Sequence, residues 1–351
     1  MMNKFCLRSM RLFVVILFSG VPSAPGFVAD AYAASRGIQL QPLEKHVETP
    51  FVAGRYRALV VGNNDYADPK GHWPVLKTAV TDARAVAELL KTHYGFSDVV
   101  LLENATRREI LHALNDLGHR VMSNDSVLVY YAGHGFLDAE TQKGYWVPVD
   151  AEGADQATFL RNSTIRDELG TIAARGRHTL LISDSCFSGT LLRSGSRGVA
   201  PEADGERYFE KVAQKKSAQI MTAGGLEFVD DDYQTSGHSP FTYFLLNELK
   251  HNDRPLLTVS ELSGNVERAV ANNVPQVPES GVLQGAGDEL GEFIFINVDV
   301  GVSGVAPDKV KVKVNVLPAE GQGQASSPAP APAPSAPQTR KAPRAFPVPT
   351  L

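Results

Sequence analysis

Between about residue 57 and residue 297, apolar residues fall into short continuous runs separated by amphipathic stretches. Arg57-Ala-Leu-Val-Val-Gly62, Val99-Val-Leu-Leu102, the run from Val127 to Ala132, the run from Thr179 to Ser183, and Gln219-Ile-Met-Thr-Ala223 are all of strand length. Continuous apolar runs bounded by turn residues read as parallel strands buried on both faces. The stretches between them carry helical spacing. From Leu76 to Tyr94 the apolar positions Val80, Ala83, Ala87 and Leu90 share one face, and the pattern stops near Gly95. Thr106-Arg-Arg-Glu109 is a capping box that opens a helix to about Met122. Thr164-Ile-Arg-Asp167 is expected to open another that ends near Gly176, and two more are expected at about Phe241–Lys250 and Thr258–Asn272. Tyr145–Pro148 reads as a short extension, Leu192–Glu206 as a mobile Gly/Ser/Arg loop, and Glu292–Asn297 as a closing strand. This alternation predicts an α/β three-layer sandwich: a mostly parallel sheet of about six strands with helices on both faces.

Open sheets of this kind form their sites outside the carboxyl ends of the strands. Two runs end there in reactive residues, His134 between Gly133 and Gly135, and Cys186 in Ser183-Asp-Ser-Cys186-Phe-Ser-Gly189. A thiol nucleophile needs a base beside it and N–H donors aimed at a developing oxyanion. The backbone N–H groups of Cys186 and Gly135 are the expected donors, and the two glycines are expected to leave room for a substrate backbone. His112 and His119 lie on a predicted helix, and no His-Glu-x-x-His pattern occurs, so no metal site is expected. A Gly-x-Ser-x-Gly elbow is also missing, which removes the usual serine-hydrolase reading.

The two ends of the chain stand apart from this pattern. Lys4, Arg8 and Arg11 precede the apolar stretch Leu12–Phe18, and Ala31-Tyr-Ala33 offers small residues for a signal peptidase. The apolar stretch is short for a membrane span, which needs about 20 residues. Residues 1–33 are therefore expected to be a signal peptide, with the protein exported to the periplasm or secreted and without a stable membrane span after cleavage. Cys6 would leave with that segment, making Cys186 the single thiol of the mature chain. The formal net charge of −5 becomes more acidic once the three basic residues are removed, which gives no support for nucleic-acid binding. Residues 34–54 form an N-terminal segment, 55–299 the domain, and 300–317 an extension in which Val310–Val316 alternates as a half-exposed strand. Residues 318–351, rich in Pro and Ala, are expected to be a disordered tail.

Tyr131-Ala-Gly-His134-Gly135 and Ser183-Asp-Ser-Cys186-Phe-Ser-Gly189 resemble the His and Cys motifs of the caspase-like cysteine peptidases, in particular the bacterial metacaspase-like (orthocaspase) branch. His134 and Cys186 lie 52 residues apart, against the roughly 50 typical of that pair. The resemblance runs from about residue 55 to 298 and includes Thr81-Asp82-Ala83, Trp146–Asp150 and Pro240-Phe-Thr-Tyr243. It implies a cysteine endopeptidase with a Cys186–His134 dyad. It also implies that Asp184, two residues before the cysteine, and Asp82 bind the P1 side chain. A carboxylate in a partly desolvated pocket attracts a cation and repels an acid, so cleavage after Arg or Lys is expected.

The chain departs from the family pattern in two places. Phe187 follows the cysteine where metacaspases usually carry His. Arg193 occupies a position where many of them have an Asp that binds calcium. Asp150 and Asp167 match other calcium positions, but a site that loses a carboxylate and gains a cation is weak. No cofactor is expected, and activity is expected without calcium. Arg193, Arg197 and Arg207 in or beside the loop after Cys186 are candidate points of self-cleavage by an enzyme that prefers basic P1 residues. The alternative reading is a catalytically silent caspase-like scaffold or binding module, and another acyl transfer by the same dyad also fits the residues.

Overall fold

The computed structural model describes residues 49, 51–67, 71–186, 188–192, 205–224 and 231–300. In chain order the elements are β1 (Tyr56–Gly62), α1 (Ala79–His93), β2 (Asp98–Glu103), α2 (Arg107–Arg120) and β3 (Ser126–Ala132). There follow β4 (Gly135–Asp138), β5 (Lys143–Trp146), β6 (Leu160–Arg161), α3 (Asn162–Arg175) and β7 (His178–Asp184). The last group is α4 (Glu206–Gln214), β8 (Ser217–Thr222), α5 (Pro240–Lys250), β9 (Leu256–Thr258), α6 (Val259–Ala271), β10 (Glu279–Val282) and β11 (Ile294–Ile296).

Six strands form the central sheet in the order β10-β8-β7-β3-β1-β2. Five of them run parallel, and β10 pairs antiparallel with β8 at the edge. β1, β3 and β7 are buried along their whole length, as strands covered on both faces must be. Side chains alternate across such strands, and the two cores follow that alternation. Ala58, Val60, Leu128, Tyr130, Leu180 and Ile182 pack with α1, α4, α5 and α6 on one face. Leu59, Val61, Val127, Val129, Tyr131 and Leu181 pack with α2 and α3 on the other. This is the three-layer α/β architecture that the sequence predicts.

Several local features differ from the expected pattern. α3 begins at Asn162, two residues before the expected start, without a side-chain cap. The chain enters it directly from β6, and the Asn162 amide is engaged by Thr190 Oγ1 at 2.6 Å. Immediately after the expected loop stands a helix, α4, whose residues Tyr208, Phe209, Val212 and Ala213 pack on the core. The closing strand β11 does not join the central sheet and pairs antiparallel with β9. No described helix is long and apolar enough to cross a membrane. The expected signal peptide, most of residues 34–54, Phe187, Arg193, Arg197, nearly all of the 300–317 extension and the 318–351 tail lie outside the described residues.

One packing detail places α1 relative to the site. A Cβ on Gly62 would lie 2.4 Å from the Ala79 carbonyl oxygen and 2.7 Å from Ala83 Cβ. The missing side chain lets α1 sit directly against the carboxyl end of β1, which brings Asp82 down to the sheet rim.

Candidate active site

β3 and β7 are neighbours in register, with Ala132 opposite Asp184. The Gly133 N–H extends the pairing to the Asp184 carbonyl at 3.3 Å. His134 and Cys186 therefore leave adjacent strands two residues beyond the last paired rung. Gly135 closes the arrangement. A Cβ there would meet the Cys186 carbonyl oxygen at 2.0 Å and the Cys186 nitrogen at 3.2 Å. The His134 carbonyl accepts from Val147 N–H at 3.0 Å, so by ladder alternation the next rung, Gly135 opposite Trp146, is a non-hydrogen-bonded pair. The Gly135 N–H consequently points off the β5 ladder.

These glycines serve contacts within the protein. A Cβ on Gly133 would fall 2.8 Å from the Tyr131 hydroxyl and 2.9 Å from that of Tyr66. Gly135 accommodates the Cys186 peptide, where the sequence reading gave it to a substrate. Gly135→Ala is expected to push the Cys186 backbone away from His134. Iodoacetamide should then alkylate the thiol at least tenfold more slowly, while far-UV circular dichroism stays that of the wild type.

His134 is held on several sides. Its backbone N–H donates to the Tyr66 hydroxyl at 2.8 Å. The Tyr131 hydroxyl lies 3.0 Å from the His134 carbonyl, and its ring stacks on Trp146 with centroids 4.1 Å apart. The ring nitrogen Nε2 lies 2.8 Å from the Pro74 carbonyl oxygen. A carbonyl can only accept, so the proton sits on Nε2 and the lone pair on Nδ1. Burial pushes the His134 pKa below its ordinary value, opposed by the Pro74 carbonyl and the negative charge of Asp231. The ring is thus a neutral base at neutral pH. Cys186 itself is half-buried and is not in a disulfide. The turn carrying it is tied back by Ser185, whose hydroxyl lies 3.0 Å from that of Ser183, which in turn accepts from Trp146 Nε1 at 3.1 Å.

Beside this pair lies a buried acidic group. Asp184 is 6% exposed, and its Oδ2 accepts from the hydroxyls of Ser239 at 2.5 Å and Thr242 at 2.7 Å. No described residue donates to its Oδ1. Ser239 is the N-cap of α5, with Pro240 at the first helical position, so the positive end of that helix faces the carboxylate. The Ser239 N–H donates to Asp82 at 3.2 Å, and His238 Nδ1 lies 2.6 Å from Asp82 Oδ1. Burial, and then the charge of Asp82, pushes the Asp184 pKa up to about 7. Burial also raises the Asp82 pKa, partly offset by its bond to His238. Asp231, which caps the start of α1 through Lys77 and Thr78 N–H, adds to the negative potential at Asp184.

The structure thus gathers His134, Gly135, Cys186, Asp184 and Asp82 at one end of the sheet. Arg207 lies exposed on α4. Among the described residues no group of three or more His, Cys, Asp or Glu is arranged to hold a metal ion. Sequence reasoning missed Tyr66, Pro74, Asp231, His238 and Ser239. The last had a signal, since Ser-Pro before an apolar amphipathic run marks a helix N-terminus. Pro74 had none, because it acts through its backbone carbonyl.

Comparison with known proteins identifies the family of the chain. A family model described as a caspase domain matches residues 55–282. A metacaspase-1 of Scheffersomyces stipitis is 29% identical over 161 residues, 40% of this chain and 37% of that protein. Metacaspase-4 of Arabidopsis thaliana is 28% identical over 180 residues, 47% of this chain and 41% of that protein. The chain thus spans well under half the length of these curated relatives. A crystal structure of a Geobacter sulfurreducens protein aligns with TM-score 0.44 at 19% identity, covering 68% of this chain and 99% of that one. With the family model matched from β1 through β10, the chain belongs to the caspase-domain family.

Proposed function

We propose that the protein is a cysteine endopeptidase that hydrolyses protein and peptide substrates after arginine or lysine through a Cys186–His134 dyad. The observation that carries this reading is the convergence of the β3 and β7 ends, with Gly135 against the Cys186 peptide and the His134 lone pair confined to Nδ1. In the first step the Cys186 sulfur bonds to the scissile carbonyl carbon while the thiol proton passes to Nδ1 of His134. The oxyanion is met by the N–H groups of Cys186 and Gly135. Collapse breaks the C–N bond, and the leaving amine takes the proton from His134. Water then attacks the thioester, giving its proton to His134, and the carboxylic acid product departs as the thiol re-forms.

A P1 guanidinium or ammonium supplies what Asp184 Oδ1 lacks, with Asp82 and Asp231 adding attraction. An acidic P1 side chain meets three carboxyl groups there. The test is a panel of peptide amides with Arg, Lys, Asp or Ala at P1, incubated with the wild type and with Cys186→Ala. Cleavage after Arg and Lys by the wild type alone is expected. Cleavage after Asp alone would remove Asp184 and Asp82 from P1 recognition, and no cleavage of any substrate would favour a silent scaffold. The same preference makes Arg193, Arg197 and Arg207 candidate self-cleavage points. Export to the periplasm or medium remains part of the proposal.

A further inference from the structure

The contacts around the His134 ring lead to a residue outside the dyad. Nε2 of His134 donates to the carbonyl of Pro74, which belongs to an irregular segment, residues 71–77. A backbone carbonyl on such a segment can direct an imidazole only if the segment itself is fixed. It is fastened on both sides of Pro74. Leu76 N–H donates to the Asn64 carbonyl at 3.1 Å. On the other side, Trp73 Nε1–H donates to the Gly153 carbonyl at 2.7 Å. The Trp73 indole sits edge-on to Phe159 and Phe136, with centroids at 5.4 and 6.1 Å, and lies 5.6 Å from the His134 ring. Gly153 has φ +57°, a left-handed conformation that suits glycine, and a Cβ there would reach 3.3 Å from the His72 ring. Trp73 also precedes a proline, which restricts its own backbone to extended conformations. The Pro74 carbonyl is thereby held between an indole anchor and a backbone anchor.

We propose that Trp73 is a positioning residue for the dyad: by anchoring the Pro74 carbonyl to the Gly153 turn, it holds His134 in the Nε2–H form with Nδ1 toward Cys186. The inference rests on the reading of His134 as the base. The carbonyl suits this task because it accepts from Nε2–H in both the neutral and the protonated ring, so it holds the same orientation before and after proton transfer. Trp73 bonds to the Gly153 carbonyl and packs on the rings of Phe159, Phe136 and His134, on the side of the base away from P1 recognition by Asp184. Its loss should therefore act on the chemical step and leave binding largely intact.

The experiment compares wild type, Trp73→Phe and Trp73→Ala. Trp73→Phe keeps an aromatic ring but removes the N–H to Gly153. On a P1-Arg peptide amide, kcat is expected to fall about tenfold for Trp73→Phe and about 100-fold for Trp73→Ala, with KM within about threefold of wild type. In ¹⁵N NMR of the histidine rings, the His134 signal should move from the Nε2–H tautomer toward a mixture. Iodoacetamide should alkylate Cys186 more slowly in step with kcat. Wild-type kcat together with an unchanged His134 tautomer in Trp73→Phe and Trp73→Ala would overturn the proposal. Should Trp73→Ala fail to fold, Trp73→Phe together with Gly153→Ala, which disturbs the same anchor from the acceptor side, decides it by the same readouts. If the wild type cleaves no peptide, the peptidase reading fails, while NMR and alkylation still test the anchoring role separately.

Discussion

Cys186→Ala is expected to lower kcat/KM for a P1-Arg peptide amide by at least about 10⁴-fold, because the covalent route disappears with the sulfur. His134→Ala should cost about 10²- to 10⁴-fold, the usual range for a positioned general base, and should slow alkylation of the thiol as well. The two losses should not add in the double variant, since both act on the same proton and bond. The structure also sets the pH behaviour of the pair. Burial lowers the His134 pKa from its ordinary 6.5, so the ring stays neutral, and able to take a proton, into more acidic solution than a free imidazole. The acid limb of Cys186 inactivation by iodoacetamide, a neutral probe, should accordingly have its midpoint below pH 6.5. A midpoint above that value would mean that the thiol ionises near its ordinary range without help from His134, which would remove the ring from the proton transfer described above.

The sheet was legible because its four inner strands are continuous apolar runs, a pattern that few other structures produce. His134 and Cys186 were legible for the same reason: each interrupts such a run at its carboxyl end. β10 was not legible, because Glu279-Ser-Gly-Val282 has neither alternation nor an apolar run and owes its pairing to the exposed edge of β8. α4 begins where the expected loop ends and was not assigned, although Tyr208, Phe209, Val212 and Ala213 recur at helical spacing, because at nine residues it is too short to show a sustained period. The two catalytic-looking residues and the two carboxylates were read from side chains that the motif displays. The fittings around them were not, since the Pro74 carbonyl, the Tyr66 hydroxyl and the cap Ser239 reach the site from segments 55 to 68 residues away in sequence from the residue each one bonds. Such contacts come from tertiary placement, and a single chain read in order carries little trace of them.

Asp184→Asn is expected to lower kcat/KM for P1-Arg and P1-Lys substrates by about 100- to 1,000-fold, the cost of removing one partner from a buried ion pair. Activity on a P1-Ala substrate, weak from the start, should change by less than about threefold. The substitution is isosteric, and the Asn carbonyl can still accept from the Ser239 and Thr242 hydroxyls. Thermal stability should therefore be kept or slightly raised, because a buried carboxylate beside Asp82 is costly to hold. The sign of the pH dependence follows from the Asp184 pKa of about 7. A cationic P1 side chain binds the ionised carboxylate, so KM for basic substrates should fall as pH rises through about 7, and binding below that value should release a proton. In Asp184→Asn this dependence should flatten, leaving only the weaker contribution of Asp82 with its partner His238. An Asp184→Asn enzyme that kept both wild-type preference for Arg and a pH-dependent KM would move P1 recognition to Asp82 and Asp231. Those two carboxylates approach from α1 and from the segment before α5, so the pocket would then be defined by the helix layer rather than by the strand that carries the cysteine.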